Sequence, residues 1–262
     1  MQKKLLLLFI ICLPAMAVLG QKKIFPSLEF QLKPSVGYNI GLTKVLNGTP
    51  ADHLLEYDDR SFYWQALSLT MFFHKHWGIE FNYQGATSSK IRHNSDRFVE
   101  LMEAEYSNNY FVTPLSGASY DNFNVISGDI ERGYLGLIYR LESNRFYIYP
   151  KLSVGVTSFA SDYGIIYLKE RKSNKVVMVA YSPGKRPKDH FTLGASTAVG
   201  YKLCKWLYFN VDIQASWYKP NFSYLKTTTD LESQQTIKES INYKKNVINL
   251  GLGAGFIISL KK

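Results

Sequence analysis

Apolar and polar residues alternate along most of this chain, and the alternation is plainest near its end. Over 246–260, Ile248, Leu250, Leu252, Ala254, Phe256, Ile258 and Leu260 share one side, while Val247, Asn249, Gly251, Gly253, Gly255, Ile257 and Ser259 share the other. Successive side chains of a strand point to opposite faces, so the pattern predicts a strand with one apolar face and one small, mostly polar face. At about 3.3 Å per residue it exceeds the roughly 9–11 residues that cross a bilayer at a tilt.

The same period recurs over 28–42, 61–73, 77–85, 129–141, 146–159, 190–203 and 207–218. Pro34 falls in the apolar register of the first of these and has no N–H to give a ladder, so a bulge or break is expected there. In 61–73, Leu67, Leu69, Met71 and Phe73 are expected to face out, with Ala66, Ser68 and Thr70 in. The connections alternate between long, at about 44–60, 90–128, 161–189 and 220–243, and short, at 74–76, 142–145 and 204–206. Tight turns at one end and long loops at the other, around an even number of spans, predict an all-β fold: a transmembrane antiparallel up-and-down β-barrel of eight strands. Two β-rich runs inside 161–189, at 165–168 and 176–181, read as a hairpin standing above the membrane; the rival reading makes them two more spans of a ten-stranded barrel. Within 90–128, residues 96–106 carry a weak helical period through Phe98, Leu101, Met102 and Glu105.

A soluble, lipocalin-like barrel also alternates, but with its apolar face inward. The second face decides between them. A wetted exterior carries many Lys, Glu and Thr, whereas a crowded interior holds small residues and a few paired charges. Here that face is largely Gly, Ser and Asn, so the apolar side is assigned to lipid. Aromatic residues on it fall into two groups, Phe73, Trp77, Tyr139, Phe146, Tyr201 and Phe256 towards the short turns, and Tyr38, Tyr83, Phe191 and Trp217 towards the long loops, as interfacial girdles require.

Residues 1–20 have the plan of a secretory signal peptide: Lys3 and Lys4, an apolar run from Leu5 to Leu13, then a small-residue exit before Gln21, with cleavage after Gly20 or after Ala17. Residues 21–262 then form a single barrel domain. The formal charge of +10 falls to +8 once Lys3 and Lys4 are removed, and its basic residues are scattered through loops without a stripe or basic helix, so nucleic acid is set aside as a partner. Cys12 belongs to the leader and Cys204 is then alone, which excludes an internal disulfide.

The hairpin units FF-HKH-WGIEF, YRL-ESNR-FYIY and YKL-CKW-LYF, with the closing GLGAGFIISL, resemble the small outer-membrane β-barrel family of OmpA-like, OmpX-like and PorT-like proteins over the whole mature chain. The resemblance implies a Gram-negative outer membrane with both termini periplasmic. It implies contact with outer-membrane lipid and lipopolysaccharide, insertion by the barrel-assembly machinery, and an envelope protein as a candidate partner. No cofactor is implied.

The inward register brings together Glu29, Lys33, Glu80, Arg132, Arg140, Lys151, Lys202 and Asp212. An eight-stranded lumen is narrow enough to be filled by side chains, and charges within it must pair or stay wet. Two readings follow, an ionic network plugging the barrel or a narrow path for small solutes. Small barrels also host lipid A-modifying and proteolytic enzymes, which need a nucleophile within reach of a base. Of five histidines only His190 is near an in-register hydroxyl, that of Thr192, and no carboxylate accompanies it. His74 and His76 supply two metal ligands, too few for a site. The sequence therefore points to a non-enzymatic barrel whose long loops bind a partner or whose wall docks into a larger envelope or secretion complex, since loops on a rigid scaffold usually carry binding. In 90–128, Arg92, Asp96, Arg97, Glu100, Glu103 and Glu105 stand among Tyr106, Tyr110, Phe111 and Tyr120.

Overall fold

The computed structural model describes residues 29–45, 49–54, 60–88, 95–113, 117–119, 130–159, 163–173, 175–185 and 189–261. The leader and its cleavage position lie outside the described residues.

The first predicted strand is two, β1 (Glu29–Leu32) and β2 (Ser35–Gly41), interrupted at Lys33 and Pro34. Proline cannot join the ladder, and side chains and neighbouring strands take up the freed groups. The Lys33 N–H donates to Ser68 O at 3.1 Å, Gln65 Nε2 donates to Lys33 O at 2.9 Å, and the Phe256 N–H donates to Pro34 O at 3.1 Å. After a 3-10 turn at Pro50–Leu54 come β3 (Arg60–Phe72) and β4 (Trp77–Ser88), then helix α1 (Ser95–Tyr106) with the short β5 (Tyr110–Val112) and β6 (Gly117–Ser119). The chain continues through β7 (Ile130–Tyr139), β8 (Leu141–Ser143), β9 (Phe146–Phe159), β10 (Tyr163–Glu170), β11 (Val176–Lys185), β12 (His190–Lys202), β13 (Leu207–Tyr218), β14 (Phe222–Asp230), β15 (Thr236–Tyr243) and β16 (Val247–Lys261).

Eight antiparallel spans close into a barrel, in the order β1 with β2, β3, β4, β7, β9, β12, β13 and β16, and β16 pairs back onto β1 and β2. The ten-stranded alternative is corrected. β10 and β11 pair with each other, and a second sheet runs β15-β14-β11-β10-β5, with β6 also on β10. The reason lies in their inward residues: Ile166, Leu168, Val179 and Tyr181 are buried in a core outside the barrel and so do not form two more lipid-facing spans. The stretch 220–243, read from sequence as a long connection, supplies the hairpin β14–β15 of that second sheet.

One span departs from simple alternation. In β3 the register slips by one residue between Trp64 and Leu67, so Ser61, Tyr63 and Gln65 face in before the bulge while Ser68, Thr70 and Phe72 face in after it. A bulge sets two residues against one and swaps the parity of the strand.

The outer wall is apolar. Leu152 is 71% exposed and Val36 65%, with Leu135, Leu193, Ile213 and Leu252 also open, while Gln31, Glu80, Gln84, Thr157, Thr192 and Asn210 are enclosed. A water-soluble protein buries the first set and wets the second, so this is the surface of a membrane-spanning barrel. Ring pairs mark both ends of the belt. Trp77 with Tyr139 (4.7 Å between centroids) and Phe146 with Tyr201 (5.2 Å) lie at the turn end, and Tyr38 with Phe62 (5.0 Å) lies towards the other. Among the described residues no helix is long and apolar enough to cross a membrane, which says nothing of crossing by strands.

Candidate functional site

The long-loop end of the barrel carries a folded cap. The inner face of the second sheet presents Ile166, Leu168, Val179, Tyr181, Tyr224 and Tyr243, which share one buried core with Met102 of α1, Ala51 and Leu54 of the 3-10 turn, and Tyr63, Ile130, Phe159, Tyr218 and Val247 from the barrel mouth. Strand alternation on the sheet and burial of Met102 on α1 are what place these residues on one side. Polar ties lock the pieces: Tyr224 Oη donates to Leu54 O at 2.9 Å, and Tyr243 Oη donates to Asp52 Oδ1 at 2.5 Å. Burial, helped by the Asp52 carboxylate, pushes the Tyr243 phenol well above its ordinary value.

At the far edge of the second sheet the hairpin tips are held together. Lys175 and Asp230 form an ion pair, and the Leu231 N–H donates to Val176 O at 3.1 Å. The Lys175 ammonium, with the Ser233 hydroxyl, holds the Asp230 carboxyl far below the usual carboxylate range. Next to this tip Arg171 stacks over the exposed Phe111 ring at 3.8 Å, and its Nε donates to Ser107 O at 3.0 Å. Behind it Lys226 faces Glu105 at 3.5 Å and the Tyr106 ring, and it keeps its proton more firmly than usual, the Tyr106 and acidic neighbours outweighing burial. Of the charged and aromatic loop residues singled out in the sequence, Glu100, Glu103, Glu105 and Tyr106 lie on α1, and Tyr110 and Phe111 on β5. Asp96 and Arg97 open that helix, while Arg92 and Tyr120 lie outside the described residues.

Below the cap the lumen is filled. At the turn end Phe72, Tyr147, Tyr149 and Tyr208 form an aromatic stack, with centroids 4.6 Å apart for Tyr147 and Tyr149 and 5.7 Å for Tyr147 and Tyr208. Arg140 lies 4.0 Å over the Phe72 ring and donates to Glu29 Oε2 at 2.5 Å, while Ser259 and Gln31 complete the Glu29 carboxylate at 2.8 and 2.9 Å. Further in, Lys33 pairs with Asp212, which also accepts from Asn210 Nδ2. Lys151 pairs with Glu80, which also accepts from Thr70 Oγ1 at 3.0 Å. Arg132 donates to Gln84 Oε1 at 3.2 Å. Lys202 lies at the turn-end rim of the lumen: it pairs with Glu142 at 2.6 Å, both partly exposed, and its ammonium stands 5.5 Å over the Tyr208 ring, because it is the last residue of β12.

Sequence reasoning overlooked Glu142, taken as a turn residue, and the aromatic stack. Tyr147 and Tyr149 stand two apart on the inward register, and two rings there are a signal for a blocked lumen.

The enzymatic alternative finds no constellation among the described residues. Thr192 Oγ1 donates to the backbone O of His190 at 3.1 Å and shares a hydrogen bond with Thr157 Oγ1 at 2.8 Å, an arrangement that fixes the hydroxyl instead of activating it. His76 Nδ1 contacts Arg140 O at 3.0 Å and its ring stacks on Tyr139, so it serves the turn. Among the described residues no group of three candidate metal ligands is found. His93 lies outside the described residues.

No protein-family model matches the chain, and no curated protein matches it. Among solved structures it is similar to Neisserial surface protein A, NspA, at 10% identity and a TM-score of 0.42, covering 88% of this chain and 96% of that one. It is likewise similar to the outer membrane protein OprG from Pseudomonas aeruginosa, at 12% identity and a TM-score of 0.42, covering 89% and 96%. A third is Ail, the attachment invasion locus protein of Yersinia pestis, at 10% identity and a TM-score of 0.30, covering 88% and 98%. The fold assignment rests on this chain's own closed ladder.

Proposed function

We propose that this protein is a non-enzymatic barrel of a Gram-negative outer membrane, with both chain ends towards the periplasm, that works through its cap as a binding or docking platform for another component of the envelope. The observation that carries the reading is the pairing of a filled lumen with a folded, sealed cap. A conduit needs a continuous wet path, whereas here an aromatic stack, two lysine–carboxylate pairs and an apolar core succeed one another along the axis. A second sheet packed onto the barrel mouth through one shared core exceeds what closing a small barrel demands, and a rigid scaffold presenting shaped loops is the usual basis of recognition. The apolar belt with its ring pairs at both ends supports the membrane address.

The test is co-purification from gently solubilised native membranes. A stoichiometric envelope partner is expected with the intact protein and is lost from a variant carrying Phe111→Ala and Arg171→Ala. Stepwise single-channel conductance in planar bilayers, changed by Glu80→Leu with Asp212→Leu, overturns the reading in favour of a small-solute channel. A lipid A mass that differs with and without the protein overturns it in favour of an enzyme.

A further inference from the structure

Among the described residues the three lumen carboxylates are each claimed by a cation: Glu29 by Arg140, Asp212 by Lys33, Glu80 by Lys151. Arg132 is a fourth lumen cation, 2% exposed, and among the described residues it has no carboxylate partner. Its one hydrogen bond is to the neutral Gln84 Oε1 at 3.2 Å, and its Nε–H has no partner inside the protein. Ser68 and Asn82 also hold an unpartnered polar atom in the lumen, but they are neutral, and water serves a hydroxyl or amide well. A guanidinium cannot shed its proton, so its burial calls for a negative charge.

The groups around it suit an anion. In register with Arg132 lie Gln84 on β4 and Thr157 on β9, and His190 on β12 continues that row. Thr157 and Thr192 share a hydrogen bond at 2.8 Å, both fully buried. The Tyr134 and Tyr63 phenols both lie within the field of Arg132. Of these, the Gln84 amide N–H and the His190 imidazole are able to donate to an ion, whereas the Thr192 proton goes to His190 O and the Thr157 proton to Thr192. The neighbouring row is Ile130 with Phe159, part of the cap core, which closes the place from outside.

We propose that the lumen beneath the cap holds a small monatomic anion, a halide such as chloride, on Arg132, beside the Gln84 amide and in the row that His190 continues. An eight-stranded lumen crowded by side chains leaves no space for a phosphate or a sugar acid, which limits the ion to a monatomic one. The ion supplies the charge that the protein's own carboxylates, spent on the other three cations, do not.

The test uses the folded barrel in detergent with bromide as the anomalous scatterer. Crystals grown in sodium bromide are expected to show an anomalous peak in contact with the Arg132 guanidinium. A ligand that binds only the folded state raises its unfolding temperature, so replacing gluconate by chloride at constant ionic strength is expected to raise the midpoint by a few degrees. Gln84→Glu, which places a carboxylate against Arg132, is expected to fold, to match the chloride-loaded midpoint in gluconate, and to lose both the peak and the halide response. Arg132→Gln, where it folds, loses them as well. No bromide peak at Arg132, or an equal halide response in Gln84→Glu, overturns the proposal.

Discussion

Tyr243 donates its phenol to Asp52 Oδ1 at 2.5 Å, joining residues 191 positions apart at the point where β15 turns back towards the barrel. Both partners are buried, so the bond ties the loop before β3 to the second sheet with little competition from water. Tyr243→Phe keeps the ring, which stacks on Phe222 at 4.6 Å, and removes only the donor. It is expected to destabilise the cap by about 1–3 kcal/mol, the cost of leaving a buried acceptor short of a bond. Hydrogen exchange should quicken in β14 and β15 and stay unchanged in β9 and β13.

Glu80 and Lys151 test the lumen. Removing one partner strands the other charge, so Glu80→Ala is expected to lose about 3–5 kcal/mol in urea-driven unfolding from vesicles. Replacing both with leucine removes the charge along with its partner and is expected to cost far less.

Gly253 and Gly37 lie under the ring of Tyr63, and a Cβ on either would fall inside that phenol. Gly253→Ala should therefore cost about 1–3 kcal/mol by overpacking. Adding Tyr63→Ala to it should recover part of the loss, because the two residues share one space, and a double-mutant cycle measures the coupling.

Leu152, open to the outside in the middle of β9, tests the orientation of the wall. Leu152→Arg is expected to cost about 2–4 kcal/mol on folding into lipid, and Phe146→Arg at the end of the same strand about 0–1, as depth dependence requires. Bilayer-borne quenchers should reach labels at Leu250 and Val211, and should miss those at Asn210 and Gly253.

The Asp230–Lys175 pair gives the hairpin tips an acid limit. Because the folded carboxyl titrates below its ordinary value of 3.8, its support is fully present above that value and is lost as the pH falls through the lowered one. Protection of the Leu231 amide should accordingly hold at pH 6 and weaken on acidification below about pH 4. Asp230→Asn should weaken it at every pH.

Periodicity alone placed most of the barrel. β9, β13 and β16 were legible to within a residue because one face of each is continuously apolar and the other small or polar, a contrast that lipid on one side and a packed lumen on the other enforce. The bulge in β3 was not, since Phe62, Tyr63 and Trp64 put aromatic rings on both parities and hide the slip. β14 and β15 escaped for a different reason. Their upper halves, Thr227 to Thr229 and Thr236 to Ser240, stand clear of both lipid and core, so no burial contrast marks them. Lys202 shared the inward parity, but alternation says nothing of depth, and a residue at a strand's end reaches the rim.

The closing ladder has a further consequence. β16 is bonded along one side to β13 and along the other to β2 and β1, so it supplies the seam between the two ends of the wall. A chain that stops short of Val247 would carry two raw margins into hydrocarbon, where no water can satisfy them. Enclosure of the lumen charges and insertion into the bilayer thus become a single event, completed when the fifteen residues of β16 dock and not strand by strand.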